Sequence, residues 1–243
     1  MRLDRLVVAR GLARSRSHAQ ELIRAGRVRV GGRAITRPGV DVPDDLSPDV
    51  ETERWVGRAA HKLLGALADL PVPIPDRALD LGASTGGFTQ VLLERGCGCV
   101  YAVDVGHDQL APALRADPRV RNLEGHHLRD LTLDDLDRQP VRLVVADVSF
   151  ISLRLAMAPL TAVTEPGAYA LLLVKPQFEV GREGLDRRGV VRDESARLAA
   201  VDDVARSARD HGWAVTGQAR SRLPGPAGNV EYFLRLVRGA GSR

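Results

Sequence analysis

Lysine is nearly missing from this chain. Of its 35 basic residues only two, Lys62 and Lys175, are lysine; the rest are arginine. A guanidinium stays protonated in any protein environment, whereas a desolvated ammonium can give up its proton and act as a base. Two lysines in an arginine-rich chain therefore mark places where arginine's chemistry would fail; the alternative is a drift from lysine to arginine that spared two by chance. Cysteine is as scarce, with Cys97 and Cys99 standing alone as Cys-Gly-Cys. They have no second ligand pair for a zinc site and lie too close together for a structural disulfide, so no metal is expected. No apolar run approaches the roughly 20 residues that span a bilayer. Met1-Arg-Leu-Asp-Arg5 is charged from the start, unlike an export signal. These absences point to a cytoplasmic address and no membrane partner, and nothing in the pattern demands more than a monomer.

At 243 residues the chain has room for one large domain and a small one, and its 44% apolar and 27% charged content is that of a folded protein rather than a disordered one. The net charge of +4 is unevenly spread. Residues 1–40 hold ten arginines against Asp4 and Glu21, after which residues 41–53 turn acidic and proline-marked. That switch reads as a small domain over 1–48, a connection over 49–60 with Trp55 packed at the domain junction, and a large domain over 61–243. In the small domain, Leu3, Leu6 and Val7 suggest a short helix closed by Gly11, and Ser15-Arg-Ser17 caps a second helix with Ala19, Leu22 and Ile23 on one face. An alternating strand follows with a Gly31-Gly32 turn. Arginines project from helix and strand, and guanidinium pairs bidentately with phosphate. Arg2, Arg5, Arg14, Arg16, Arg24 and Arg27 are therefore candidates for binding a nucleic-acid backbone; a solvated basic face is the plainer alternative.

From residue 77 strands and helices alternate, the signature of an α/β domain with a parallel sheet and covering helices. Strands are expected over 77–81, 100–104, 120–124, 143–147, 168–175 and 213–219, with 230–237 closing the sheet. In such sheets ligands sit outside the carboxyl ends of the strands, where Asp80, Gly82, Asp104, Asp147 and Lys175 all fall. The loop Gly82-Ala-Ser-Thr-Gly-Gly87 is not a dinucleotide Gly-x-Gly-x-x-Gly, and no Walker Gly-Lys-Ser/Thr is present. ATP hydrolysis is disfavoured and a nicotinamide cofactor weakened. A glycine loop with an acid ending the next strand suits a nucleoside whose ribose pairs with Asp104. S-adenosyl-L-methionine fits, since Asp80 or a nearby backbone carbonyl can face its cationic end. A purely structural glycine turn is the alternative.

The most distinctive strings are Gly82-Ala-Ser-Thr-Gly-Gly-Phe-Thr89, Asp147-Val-Ser-Phe-Ile-Ser152, Val174-Lys-Pro-Gln-Phe-Glu-Val-Gly181 and Pro224-Gly-Pro-Ala-Gly-Asn-Val-Glu-Tyr-Phe233. Ahead of them, Arg2-Leu-Asp-Arg-Leu6, Gly11-Leu-Ala-Arg-Ser-Arg-Ser-His-Ala19 and Ile23-Arg-Ala-Gly-Arg-Val-Arg-Val-Gly31 resemble the S4 RNA-binding domain. Nearly end to end, the chain resembles the hemolysin A family of ribosomal RNA ribose methyltransferases. The resemblance implies a Rossmann-like, S-adenosylmethionine-dependent methyltransferase domain behind a small α+β S4-type domain. It also implies ribosomal RNA or ribosomal subunits as partner, with cytidine ribose as the acceptor. A Lys-Asp-Lys-Glu tetrad of FtsJ-type ribose 2′-O-methyltransferases maps onto Lys62, Asp147, Lys175 and Glu231. Lys175 is then the proton acceptor, oriented by Asp147, while Lys62 and Glu231 position the hydroxyl. The expected cofactor residues are Asp80, Gly82, Ser84, Thr85, Gly86, Gly87, Phe88, Asp104 and Asp130.

The chain departs from the family at Gly57-Arg-Ala-Ala-His-Lys62, where a Ser-Arg-Gly-Gly-x-Lys type string is common, and at His127-Leu-Arg129, in place of an Asn-Ala-Arg type string. The long segment 176–193 carries Arg182, Arg187, Arg188 and Arg192 beside the expected site, so Arg182 joins the RNA-binding candidates. Competing readings are an RNA-binding assembly protein without turnover, a membrane-active cytolysin, and last a nicotinamide-dependent oxidoreductase.

Overall fold

The computed structural model describes residues 1–13, 15–50 and 54–240, and its contacts divide the chain into two units between Arg54 and Trp55. In the first, helical spacing of apolar residues gives α1 (Leu3–Ala9), which buries Leu3, Leu6 and Val7, and α2 (Arg16–Arg24), which buries Ala19, Leu22 and Ile23. The Ser15 hydroxyl accepts the His18 amide at 3.2 Å and caps α2. Strands β1 (Val28–Val30) and β2 (Arg33–Ile35) pair antiparallel across Gly31-Gly32, both at the positive φ that a two-residue hairpin turn needs. A third strand, β3 (Asp49–Val50), pairs antiparallel with β1 and sets Val50 opposite Val28. Residues 49 and 50 were expected in the connection; burial of Val50 in the small core draws them into the sheet instead. At the other end of that expected connection, Trp55, Val56 and Ala59 pack against the core of the second unit, and Gln90 Oε1 accepts the Val56 amide at 2.8 Å.

The second unit opens with α3 (Ala59–Asp69), followed by β4 (Arg77–Leu81), α4 (Gly87–Glu94), β5 (Cys99–Asp104), α5 (Pro112–Arg115) and β6 (Val120–Glu124). Then come β7 (Val141–Ala146), α6 (Met157–Ala162), β8 (Thr164–Val174), α7 (Pro176–Glu179), α8 (Glu194–Asp210), β9 (Trp213–Arg220) and β10 (Tyr232–Arg238). The seven strands lie in the order β6-β5-β4-β7-β8-β10-β9. The first five are parallel to one another, whereas β10 is antiparallel to both β8 and β9. The last strand was expected to close the sheet. It enters between β8 and β9 instead and leaves β9 at the edge. The burial patterns agree: β10 is covered on nearly every residue, while β9 alternates between covered and exposed.

Two apolar layers cover the sheet, and strand alternation sorts side chains between them. Leu79, Leu81, Tyr101, Val103, Val144 and Leu172 join one layer with α6 and α8. Ala78, Val100, Ala102, Leu143, Val145, Leu171, Leu173 and Phe233 join the other with α3 and α4. Among the described residues no helix is long and apolar enough to cross a membrane.

Candidate active site

The chain reverses direction of growth at β4, whose neighbours are β5 on one side and β7 on the other, so a crevice opens at the carboxyl ends of these strands. Period-two alternation then fixes which residues share it. Asp147 continues the Leu143, Val145 series, Lys175 the Leu171, Leu173 series, and Glu231 precedes Phe233; all three fall on the layer that holds α3. The antiparallel entry of β10, with Tyr232 opposite Val174, brings Glu231 to the end of β8. Lys62 lies on the buried face of α3.

The four groups meet there in a chain of charges. Lys62 Nζ donates to Glu231 Oε2 at 2.6 Å and stands 3.8 Å from Asp147 Oδ2. Lys175 Nζ is 2.6 Å from Asp147 Oδ1, a close ion pair whose angles do not make an aligned hydrogen bond. Both lysines are nearly dry, Lys62 at 5% and Lys175 at 7% exposure, and Glu231 is at 1%. Two ammonium groups against two carboxylates keep the cluster near neutral, which is the condition under which buried charges persist. One residue outside the expected set joins it, and another braces the loop beside it. Ser149 Oγ accepts from Lys175 Nζ at 2.7 Å, and Glu179, on α7, accepts from the Ser152 hydroxyl and from the Leu153 amide. Both belong to strings singled out by sequence, but nothing in the strings distinguished them from their neighbours.

Beside the cluster, the glycine loop is held by backbone geometry. Gly82 is at φ +79°, and a Cβ there would fall 2.8 Å from the Asp147 carbonyl oxygen, so only glycine lets the loop approach the end of β7. Gly86, at φ +93°, leads into α4. A Cβ on Gly57 would fall 2.5 Å from Thr85 Oγ1, a contact that a turn of the Thr85 side chain would have to relieve. Asp104 accepts the Ser84 amide on Oδ2 and the Gly106 amide on Oδ1, each at 2.8 Å. Those bonds use two of a carboxylate's roughly four acceptor positions and leave the others open to further hydrogen-bond donors.

Asp80 is fully buried between β4 and α4, with Oδ2 accepting from Thr89 Oγ1 at 2.6 Å and Oδ1 without a partner. Burial, reinforced by the Asp147 and Asp104 carboxylates and partly offset by the bonds from Thr89, pushes its carboxyl up to about 7. An orphaned acidic oxygen under a glycine loop suits a cationic ligand. Phe88 does not belong with these residues: it packs in the core, 6.3 Å from the Phe233 ring, because its position on α4 faces the sheet. Asp130 lies exposed on the 3-10 turn Leu128–Asp130.

Of the arginine candidates, Arg14 lies outside the described residues. Arg2 and Arg16 both bond Asp4, with Arg16 Nε to Oδ2 at 2.9 Å, and Gln20 adds a third donor at 2.8 Å. Burial would raise the Asp4 carboxyl, but the bonds from Arg2, Gln20 and Arg16 outweigh it and hold the group well below the usual carboxylate range. Sequence reading counted Asp4 only as an opposing charge; the structure makes it the anchor of two guanidinium groups. Arg5 and Arg24 are exposed, and Arg27 is half-buried. Arg182 is exposed on a loop that is fastened elsewhere: Asn229 accepts the Val191 amide and donates to the Gly189 carbonyl, both at 3.0 Å.

Comparison with known proteins agrees with this architecture. Residues 55–238 match the model of the FtsJ-like methyltransferases, and residues 1–45 that of the S4 domain. The chain is 49% identical to the 16S/23S rRNA (cytidine-2′-O)-methyltransferase TlyA of Mycobacterium tuberculosis, over 97% of this chain and 89% of that one. It is 34% identical to Hemolysin A of Brachyspira hyodysenteriae, over 98% of this chain and all of that one. A solved structure from Streptococcus thermophilus that carries the hemolysin name superposes with a TM-score of 0.78 at 36% identity, covering 99% of this chain and 89% of that one.

Proposed function

As the chain belongs to the FtsJ-like methyltransferase family and carries an S4 domain ahead of that region, we propose that it transfers a methyl group from S-adenosyl-L-methionine to a ribose 2′-hydroxyl of ribosomal RNA, with cytidine as the acceptor nucleoside. The observation that carries this reading is the convergence of both of the chain's lysines on Asp147 and Glu231 at the switch point of the sheet. When bound, S-adenosyl-L-methionine supplies an electrophilic sulfonium methyl. The residues that fit it are the Gly82–Gly87 backbone, Asp104 toward the ribose, and Asp80, whose charge is sensed from beneath the loop.

The remaining chemistry falls to the chain's own groups. A ribose hydroxyl is a weak acid, so its oxygen must be held in line and its proton taken as the new bond forms. Lys175 Nζ accepts that proton. Asp147 stands against Lys175 and favours the ammonium that results, and Lys62, fixed by Glu231, presents a donor to the hydroxyl oxygen. Phe150, 91% exposed beside Lys175's loop with its ring 5.1 Å from Phe178, offers a face on which an unstacked base can rest. The exposed arginines of the first unit, with Arg2 and Arg16 held on Asp4, and Arg182 in the second, supply phosphate contacts.

The test is methyl transfer from labelled cofactor to separated small and large ribosomal subunits that lack the mark. Label entering RNA with the wild-type protein, and absent with Lys175→Ala while cofactor binding persists, is the expected result. Folded, cofactor-binding protein that labels neither subunit would sink the ribosomal reading.

A further inference from the structure

The loop after β7 is stapled to the segment after β8 at two points. At one, Lys175 Nζ donates to Ser149 Oγ at 2.7 Å. At the other, Glu179, four residues beyond Lys175, accepts from the Ser152 hydroxyl and from the Leu153 amide at 2.8 Å. Between them Phe150 takes φ +64°, a left-handed conformation that a bulky residue adopts only when its surroundings impose it, and its ring lies against Phe178 of α7. The Glu179 side chain is 2% exposed, and burial raises its carboxyl against the lowering by its Ser152, Leu153 and Arg154 contacts. A buried acid whose bonds run into the neighbouring loop holds that loop in one place.

We propose that Ser149 is a positioning residue for Lys175, fixing the direction in which the amine faces the 2′-hydroxyl, and that Glu179 holds Ser149 in register. The inference rests on the reading of Lys175 as proton acceptor. An amine that is about to take a proton has two N–H bonds and one lone pair in a near-tetrahedral arrangement. Distance to Asp147 does not fix that arrangement, because the 2.6 Å ion pair is not aligned as a hydrogen bond. The bond to Ser149 Oγ is aligned. With one N–H committed to Ser149 and another turned toward Asp147, one tetrahedral direction is left for the lone pair. When the hydroxyl proton passes to Nζ, the amine becomes an ammonium, and the bond to Ser149 and the ion pair with Asp147 are kept. Ser149 is itself exposed, so its substitution removes no core packing.

The experiment compares full-length wild type with Ser149→Ala, Ser149→Thr, Glu179→Gln and Lys175→Ala. Single-turnover methyl transfer into unmodified ribosomal subunits is followed as a function of pH and of RNA concentration. Ser149→Ala is expected to lower the rate at saturating RNA by about 10- to 100-fold, the scale of loss when a reacting group is misaimed by about an ångström. Its KM for RNA and its cofactor affinity stay within about twofold of wild type, and the limb of the pH–rate profile that reports the base moves. Ser149→Thr, which keeps the hydroxyl, recovers most of the rate; Glu179→Gln gives a smaller loss of the same kind. Wild-type rate and profile in Ser149→Ala would overturn the proposal, as would a loss confined to KM or to cofactor binding. Lys175→Ala separates the two layers. If it turns over normally, the proton-acceptor reading falls; if it is dead while Ser149→Ala is normal, only the role of Ser149 falls.

Discussion

Each unit of the molecule holds a buried carboxylate against cations, and the two arrangements are opposite in design. In the first, Asp4 binds the guanidinium groups of Arg2 and Arg16, whose side chains remain 43% and 50% exposed. One negative charge meets two positive ones, and the surplus faces outward. In the second, Asp147 and Glu231 meet Lys62 and Lys175, Asp147 is 13% exposed and the other three are nearly dry, and no surplus remains. The cation differs for a reason. Arginine keeps its proton in every environment and presents a fork that matches phosphate, so it serves where a permanent, oriented charge is needed. Lysine is a compact charge on a flexible stem and can exchange its proton in a dry site, so it serves where the proton itself must move. In a chain with 35 basic residues, lysine occurs only in the second arrangement.

The largest predicted effect comes from forcing one design onto the other. Lys175→Arg keeps the charge but removes the proposed proton acceptor, so methyl transfer should fall by roughly 10²–10⁴-fold, close to the loss in Lys175→Ala, in a single-turnover assay. Activity near wild type in the arginine variant would erase the distinction. Next is the buried pair. Glu231→Ala takes the close partner from dry Lys62 and leaves it only Asp147, 3.8 Å away, and thermal or urea unfolding should show a loss of about 3 kcal/mol, where substitution of an exposed acid such as Asp130 costs about 0.5 kcal/mol or less.

A smaller effect is expected at Asp4. Asp4→Asn should loosen Arg2 and Arg16 and weaken RNA binding by about 10-fold, roughly the worth of one charge-assisted hydrogen bond, in a binding titration at fixed salt, while turnover at saturating RNA changes little. The same carboxyl sets an acid limit. Its value in the folded protein lies below the ordinary 3.8, so its stabilisation is complete above that value and is lost as pH falls through the folded one. Acid melts of wild type and Asp4→Asn should diverge above pH 4 and converge at strongly acidic pH.

The smallest effect is at Asp80, whose carboxyl is raised to about 7. Its contribution to folding is complete below the ordinary 3.8 and is lost as pH rises through about 7. A cationic ligand that favours the carboxylate draws the proton off. Affinity for S-adenosyl-L-methionine should therefore rise several-fold with pH up to about 7 and level beyond it. Calorimetry in buffers of different ionisation enthalpy would read the released proton, and Asp80→Asn should flatten the dependence.

The strands that alternate or run apolar, the glycine loop and the acids ending β4 and β5 were legible because short-range patterns encode them. Scarcity pointed to Lys62 and Lys175, and family resemblance supplied Asp147 and Glu231 as their companions. Other features were not legible, for reasons that lie in the packing. Phe88 sits within a ligand-like string, yet the face of α4 it occupies turns it into the core. Asp4 looked like a stray acid among arginines until α1 and α2 closed over it. Residues 49 and 50 read as connection because a two-residue strand carries too little pattern to be seen before its partner is known.

The sequence by itself determined the local elements, the two-domain division in outline, and the kinds of side chain available for chemistry, since each depends on neighbours within a few residues. Only the tertiary structure decided which of those side chains meet. Lys62 and Glu231 are 169 residues apart and touch at 2.6 Å because β10 enters the sheet antiparallel beside β8 and because alternation turns Asp147, Lys175 and Glu231 to the face that α3 covers. Strand order and register are properties of pairing between distant segments, and a shift of one residue in β10 would turn Glu231 to the other face.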